Sequence, residues 1–364
     1  MKITVLGAGN AGCAVAADLT LHGHKVTLIK TSHAMHDDNY NYLVENNGRM
    51  TLHEFGEIKT ANIYKVTRDL AELQGSEIII IFIQSIFHEQ LILKIKPYLC
   101  ANQILLINPG YLSTAYILKH CPDKKLIVAE AESSFIDGRI MEPGLFRVGF
   151  RNVRNPIGIY PFSRKEEAVV KLDQLGERLV YLNSVVEAAL HNPNLIVHTV
   201  GAVMSIPRIE YSKGDFCMYH EVYTRNNPRT WMILDALDAE KMNILEKLGF
   251  PRIPYVKACR YRNSLDDGTD AKEVFLNYAE MPTRAKGPTE VDSRYISEDV
   301  SQGLVMLEGL GKYLGVETPV CTALIEIASA ALGRSMRKEG RTPEKLGIKS
   351  IINILGDAKN SVNV

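Results

Sequence analysis

Residues 3 to 12 read Ile-Thr-Val-Leu-Gly-Ala-Gly-Asn-Ala-Gly. An apolar, partly β-branched run feeds directly into Gly7-x-Gly9-x-x-Gly12, and a helical pattern follows from Cys13 to His22. A second strand pattern lies just beyond, over Lys25–Ile29. Strand, tight turn, helix and strand in that order constrain the fold more than anything else in the chain. Gly7 permits the turn, Gly9 lets a pyrophosphate approach the backbone without meeting a Cβ, and Gly12 lets the helix lie close to the strand. The unpaired N–H groups and the positive dipole end of the helix then face the phosphates. A glycine triplet alone occurs by chance as a turn with no ligand. In this strand-and-helix context it points to a dinucleotide site built from Gly7, Gly9, Asn10, Ala11 and Gly12.

Further strand patterns fall at Glu77–Ile83, Ile104–Ile107 and Leu126–Glu130, with helices expected between them at Val66–Leu73 and His88–Tyr98. Nearly continuous apolar strands alternating with helices predict a doubly wound parallel sheet, the α/β Rossmann class. Asn108-Pro109-Gly110 is a turn at the carboxyl end of a strand, where such sheets bind ligands. Arg147–Ile159 reads as one or two more strands and Glu166–Leu179 as a closing helix.

The character changes near residue 184, where strand patterns vanish and helical periodicity takes over. The expected organisation is a dinucleotide-binding domain over 1–183 and an all-α domain over 184–364. Ser184-x-x-Glu187 is a capping box for the first helix of the second domain, and Pro193 interrupts it, predicting a restart at Asn194. Later helices are expected at Leu234–Lys247, Asp270–Glu280, Val300–Leu314 and Pro319–Leu332, and irregular chain at Arg208–Cys217, Pro251–Cys259 and Thr283–Val291. With no low-complexity linker in view, the two domains are expected to pack directly, with the cofactor between them.

The 42 basic and 42 acidic residues cancel, and no long basic run appears, which argues against nucleic acid as a partner. Six cysteines are scattered with neither C-x-x-C pairs nor metal-ligand spacing, so they read as reduced thiols of a cytoplasmic protein with no metal. The apolar N-terminus is accounted for as the first strand and helix rather than a signal peptide. No apolar run is long enough to span a bilayer, so no membrane association is expected. A homodimer is left open as the assembly.

NAD-specific enzymes commonly place a carboxylate at the end of the second strand to bond the ribose hydroxyls. Here that strand ends in Lys30-Thr31-Ser32, a cation with two hydroxyls, which suits a 2′-phosphate and favours NADP over NAD. Hydride transfer also needs a proton donor, and histidine serves near neutral pH. The second domain offers His191, His198 and His220. If a helix begins after Pro193, Asn194 and His198 lie on one face. A core or capping histidine is the alternative reading. Arg294-Tyr-Ile-Ser-Glu-Asp299 supplies a cation and a carboxylate before a helical run; its local alternative is a cap at Ser297 with Arg294 paired to Glu298.

These stretches together resemble the octopine/nopaline (opine) dehydrogenases over nearly the whole chain. The matching stretches, in order, are Val5-Leu-Gly-Ala-Gly-Asn-Ala-Gly12, Leu106-Ile-Asn-Pro-Gly110, Glu130 followed by Arg139, and Asn192-Pro-Asn-Leu-Ile-Val-His198. Leu237-Asp-Ala-Glu-Lys241 with Leu248-Gly249 comes next, then Gly287-Pro288 leading into Arg294-Tyr-Ile-Ser-Glu-Asp299. The resemblance implies a Rossmann domain followed by an all-helical domain. It implies reductive condensation of an amino acid with a 2-oxo acid by NADH or NADPH. It puts His198 in the place of the catalytic histidine, Asp299 in that of its carboxylate partner, and Arg294 in that of an arginine contacting the cofactor phosphates. Glu130, Arg139 and Asn194 are candidates to contact substrate. Two departures fall where substrate is expected: Thr199 follows the histidine where proline is usual, and Ala131-Glu-Ser-Ser-Phe-Ile-Asp-Gly138 differs from the family's Thr-rich version. The runner-up activity is an NADP-dependent hydroxy-acid dehydrogenase on the same plan, which would need no amine. A cofactor-binding sensor without catalysis is a third reading.

Overall fold

The computed structural model describes residues 1–33, 35–282, 284 and 286–362. The chain divides into two compact units, Met1–Val185 and Val186–Val364. Among the described residues, no helix is long and apolar enough to cross a membrane.

The described residues of the first unit hold twelve strands. They are β1 (Lys2–Leu6), β2 (Lys25–Ile29), β3 (Arg49–Glu54), β4 (Glu57–Asn62), β5 (Lys65–Thr67), β6 (Ile78–Ile81), β7 (Ile104–Ile107), β8 (Ile127–Ala131), β9 (Ile136–Glu142), β10 (Leu145–Arg151), β11 (Asn155–Tyr160) and β12 (Leu179–Tyr181). Eight of them form one sheet in the order β12-β11-β8-β7-β6-β1-β2-β5. Every neighbouring pair in it is parallel except β11 against β8. The chain leaves β1 toward β2 on one side and returns to β6 on the other. That reversal opens a crevice at the carboxyl ends of β1 and β6, which is where Gly7–Gly12 emerges.

A second sheet, β4-β3-β10-β9, is built from two excursions between strands of the first. Helix Asn10–Leu21 contacts strands of both sheets. Its residues Gly12 through Leu19 are therefore all buried, and alanines at 14, 16 and 17 keep that layer thin. Asp18 lies on this buried face and is satisfied by Arg151 of β10, whose Nη1 and Nη2 donate to its two oxygens at 3.0 Å each. Arg151 also reaches Glu54 of β3 at 2.8 Å, tying the small sheet to the helix.

Two sequence expectations fail here. Val66–Leu73 is not a helix: Lys65–Thr67 pairs with Thr27–Ile29 as an edge strand, and Asp69 then caps a short 3₁₀ turn by accepting from Ala71 N at 2.9 Å. The helix expected over Glu166–Leu179 ends at Leu172, a 3₁₀ turn follows, and Gly176 (φ 76°) turns the chain into β12.

The second unit is helical among its described residues. Helix Pro193–Val203 is its centre, with eight of its eleven residues buried. Pro193 cannot continue the preceding helix because it lacks an N–H, while Asn192 caps the new one by accepting from Asn194 N at 3.0 Å. Helices Pro228–Lys247 and Pro319–Leu332 pack on it, as does the turn over Asp299–Leu304, a wide π-helix. A Cβ on Gly201 would lie 2.6 Å from Met218 Sδ, so glycine there lets Met218 and Tyr223 close over the helix. Phe275 is ringed by Tyr219, Tyr223, Trp231, Tyr255 and Tyr278 at centroid distances of 5.4–6.5 Å.

Two segments expected to be irregular are partly helical: Ile206–Ser212, and Tyr255–Asn263, whose first N–H donates to the buried Asp238 carboxylate at 2.7 Å. In the third, Thr283–Val291, residues Thr283 and Ala285 lie outside the described residues.

Candidate active site

The glycine loop behaves as its spacing predicts. Gly7 has φ 110°, and a Cβ there would lie 2.3 Å from Phe82 O. A Cβ on Gly12 would lie 1.8 Å from Gly7 O, so helix and turn touch only because residue 12 is glycine. Gly9 is different, since a Cβ there meets nothing within 4 Å. Its lack of a side chain answers no need of the protein's own packing and leaves room for an approaching phosphate. Gly9, Asn10 and Ala11 are partly exposed at the helix start, and no acidic residue stands in the first turn to oppose an anion. Asn10 Oδ1 accepts from Ile140 N of β9 at 2.8 Å, which steadies the loop from the small sheet. These features fit a dinucleotide pyrophosphate.

At the carboxyl end of β7, Tyr111 (φ 49°) and Leu112 (φ 60°) adopt successive left-handed conformations. Such residues cost about 1–3 kcal/mol each and need support. Glu130 supplies it. Its carboxylate is fully buried, with Oε2 accepting from Leu112 N at 2.9 Å and Oε1 from Thr114 N at 2.7 Å and Thr114 Oγ1 at 2.6 Å. The sequence resemblance sets Glu130 against substrate. It is instead committed to this loop, because a buried charge must be hydrogen-bonded within the protein. His88, also buried, braces the same loop through Ser113 Oγ (2.6 Å) and the β6 end through Ile83 O (2.8 Å). Arg139 lies on the other sheet, on β9. Its side chain is 58% exposed and 3.6 Å from Asp137.

The end of β2 also differs from expectation. Lys30 is buried, and its ammonium donates to Met35 O at 2.8 Å. A carboxylate does stand there after all: Asp37 folds back within 3.2 Å of Lys30 and 2.8 Å of Arg68. In the same turn Thr31 is half-buried and Ser32 exposed.

In the helical unit, His198 Nδ1 lies 2.8 Å from Asp299 Oδ2. The imidazole is 12% exposed and the carboxylate 1%. Asp299 opens the π-helix, which is braced by the buried Arg341: its Nε donates to Gln302 Oε1 at 3.0 Å and its N–H to Ser301 O at 3.0 Å. With Nδ1–H donated to Asp299, Nε2 is the atom left to exchange a proton. Asn194 is half-buried one helical turn before His198, on the same face. Arg294 is 49% exposed and its Nε lies 3.0 Å from Glu298.

Tyr295, which the sequence does not single out, stacks on His198 with ring centroids 4.0 Å apart and 36° between planes. Its neighbourhood is visible in the Arg294–Asp299 stretch, but the stacking is not. Of the other histidines, His191 is buried and its imidazole is pushed well down by that burial and by Lys241 and Arg262, while His220 meets Met281 O at 3.2 Å. Among the described residues, no group of three or more His, Cys, Asp or Glu could hold a metal ion.

Residues 181–332 match the family model described as NAD/NADP octopine/nopaline dehydrogenase, alpha-helical domain, and residues 3–139 match that of ketopantoate reductase PanE/ApbA. The chain is 26% identical to the opine dehydrogenase of Arthrobacter sp. (strain 1C) over 355 residues, 95% of each chain. Among solved structures, octopine dehydrogenase in complex with NADH and agmatine aligns with TM-score 0.76 at 16% identity, covering 98% of both chains. Yersinopine dehydrogenase bound to NADP+ aligns with TM-score 0.68 at 14% identity, covering 100% of this chain and 99% of that one. Residues 181–332 thus match the helical-domain model of the octopine/nopaline dehydrogenases, they follow a Rossmann unit in the sequence, and the chain is similar to an opine dehydrogenase along 95% of its length.

Proposed function

We propose that the chain is an NAD(P)H-dependent opine-type dehydrogenase, an oxidoreductase acting on a CH–NH bond. An amino acid and a 2-oxo acid lose water to form an imine, and uptake of a hydride and a solvent proton gives the secondary amine. A bound nicotinamide would supply the hydride for that reduction. The observation that carries this reading is the His198–Asp299 pair, set within the opine dehydrogenase helical domain.

His198 acts through Nε2 as general acid and base. It takes up a proton as the amine adds to the carbonyl and returns one to the departing oxygen. Asp299 fixes the ring and offsets the imidazolium charge whenever His198 carries the proton. Asn194, on the same helix face, contacts substrate. Arg139 offers an exposed guanidinium to a substrate carboxylate. Arg294 reaches the cofactor phosphates, and the Gly7–Gly12 loop holds the pyrophosphate. NADPH is preferred to NADH, a reading supported by Lys30 and Arg68 converging at the end of β2 beside Thr31 and Ser32.

The test is a matrix of 2-oxo acids against amino acids with both reduced cofactors. Oxidation that requires both organic partners supports the reading, whereas oxidation by the oxo acid alone assigns a hydroxy-acid dehydrogenase. His198→Ala keeps cofactor binding and loses turnover; unchanged turnover overturns the mechanism.

A further inference from the structure

Two cations meet one carboxylate oxygen at the end of β2. Lys30 Nζ lies 3.2 Å from Asp37 Oδ1. Arg68, from the turn after β5, donates through Nη2 to the same oxygen at 2.8 Å. Arg68 also donates through Nη1 to Ser32 O, and its guanidinium lies 4.4 Å from the Tyr40 ring centroid. His33 Nδ1 lies 3.8 Å from the other carboxylate oxygen. This is the geometry of an anion site filled from within the chain.

The parts differ in how firmly they are held. Lys30 is 4% exposed and anchored to a backbone carbonyl, and Arg68 is pinned by a carbonyl and a ring. Asp37 is 37% exposed and hangs from the first turn of a surface helix, Asp37–Glu45. A change of its rotamer frees the site without disturbing the core. Arg68 and, less strongly, Lys30 hold the Asp37 carboxyl below the usual carboxylate range, so at neutral pH the occupant is an anion.

We propose that Asp37 is a displaceable stand-in for the 2′-phosphate of the cofactor, with Lys30 and Arg68 as the phosphate site it occupies until the phosphate drives it out. The inference rests on the dinucleotide reading above and adds a mechanism of selectivity to it. A phosphate monoester carries about −1.5 to −2 charges and three strong acceptor oxygens, so it outcompetes a single carboxylate for two cations. Arginine adds a bidentate fit to phosphate. A ribose hydroxyl brings no charge and has no means to displace Asp37. Asp37 therefore opposes binding of the phosphorylated cofactor while bearing little on the unphosphorylated one.

The experiment is calorimetric titration of adenosine 2′,5′-bisphosphate and of 5′-AMP, neither of which turns over, into the wild type and variants at one fixed ionic strength. Asp37→Asn is expected to tighten the bisphosphate about tenfold, the size of a modest charge-pair effect, and to leave 5′-AMP unchanged. Arg68→Met is expected to weaken the bisphosphate by at least about tenfold, with Arg68→Lys between it and the wild type because the charge stays and the fork is lost. Thermal melts confirm that each variant is folded. The proposal is overturned if Asp37→Asn leaves bisphosphate affinity unchanged or weakens it. It is equally overturned if that variant weakens 5′-AMP, since Asp37 would then be accepting from the ribose hydroxyls. Either result leaves the dehydrogenase reading standing. Failure of every form to bind either nucleotide would remove the dinucleotide reading as well.

Discussion

Replacing Asp299 by asparagine tests the central pair while keeping its shape. The carboxylate is 1% exposed and 2.8 Å from His198 Nδ1, so little water screens it. With the charge centres about 4 Å apart and an effective dielectric near 20, the attraction to an imidazolium is about 4 kcal/mol. At about 1.4 kcal/mol per tenfold in rate, that is about a thousandfold. A lower bound comes from one hydrogen bond to a charged group, about 1.5–3 kcal/mol, or about ten- to a hundredfold. The loss applies only while His198 holds the proton, so kcat for reductive condensation is expected to fall by about 10–10³, overlapping the range for general acid–base catalysis. Cofactor affinity, read by quenching or transfer of nicotinamide fluorescence, should not change. Single-turnover absorbance of the reduced nicotinamide separates the chemical step from product release. A folded Asp299→Asn protein whose single-turnover rate stays within about threefold of wild type would refute the reasoning.

The glycines of the loop should separate cleanly by variant. Gly12→Ala forces a Cβ to 1.8 Å from Gly7 O and is expected to cost about 3 kcal/mol of stability, whereas Gly9→Ala meets no protein atom within 4 Å and should melt like wild type while losing cofactor affinity by calorimetry. Tyr295→Leu removes the ring stacked on His198 and is expected to lower kcat about two- to thirtyfold at constant KM, from a cation–π contact of about 0.5–2 kcal/mol. Tyr295→Phe should restore it, and the downfield Nδ1–H proton resonance of His198 should be sharp in wild type and Phe and broadened in Leu. Burial, and then the neighbouring Asp18 carboxylate, push the Glu177 carboxyl up from 4.5 to about 8. The native state therefore holds a proton there that the unfolded chain has released, and the stability this group contributes below pH 4.5 is lost as pH rises through about 8. Glu177→Gln, which cannot titrate, should raise the melting temperature relative to wild type more at pH 9 than at pH 5; an equal shift at both would contradict the placement of Glu177.

What the chain states locally is legible in its sequence. Residues adjacent along the chain set the turn at Gly7–Gly12, the parallel strands β1, β2, β6, β7 and β8, and the new helix after Pro193. Steric limits on glycine and proline and the burial of continuous apolar runs act within a few residues. The small sheet is not legible in the same way, because its strands are polar on one face and find partners far away: β10 pairs with β3 in the register Leu145 to Thr51. Val66–Leu73 misleads because an edge strand of three residues carries too few side chains to betray its period. Asp37 carries no local sign of its place beside the end of β2, since its meeting with Arg68 spans 31 positions. The His198–Asp299 pair spans 101 positions, and the stacking of Tyr295 on the imidazole comes from the same fold of the chain. Sequence supplies the candidate residues and, through resemblance, their roles. Only tertiary packing decides which polar groups lose their water together, and that shared desolvation makes Glu130 a brace and sets His198 against a buried carboxylate.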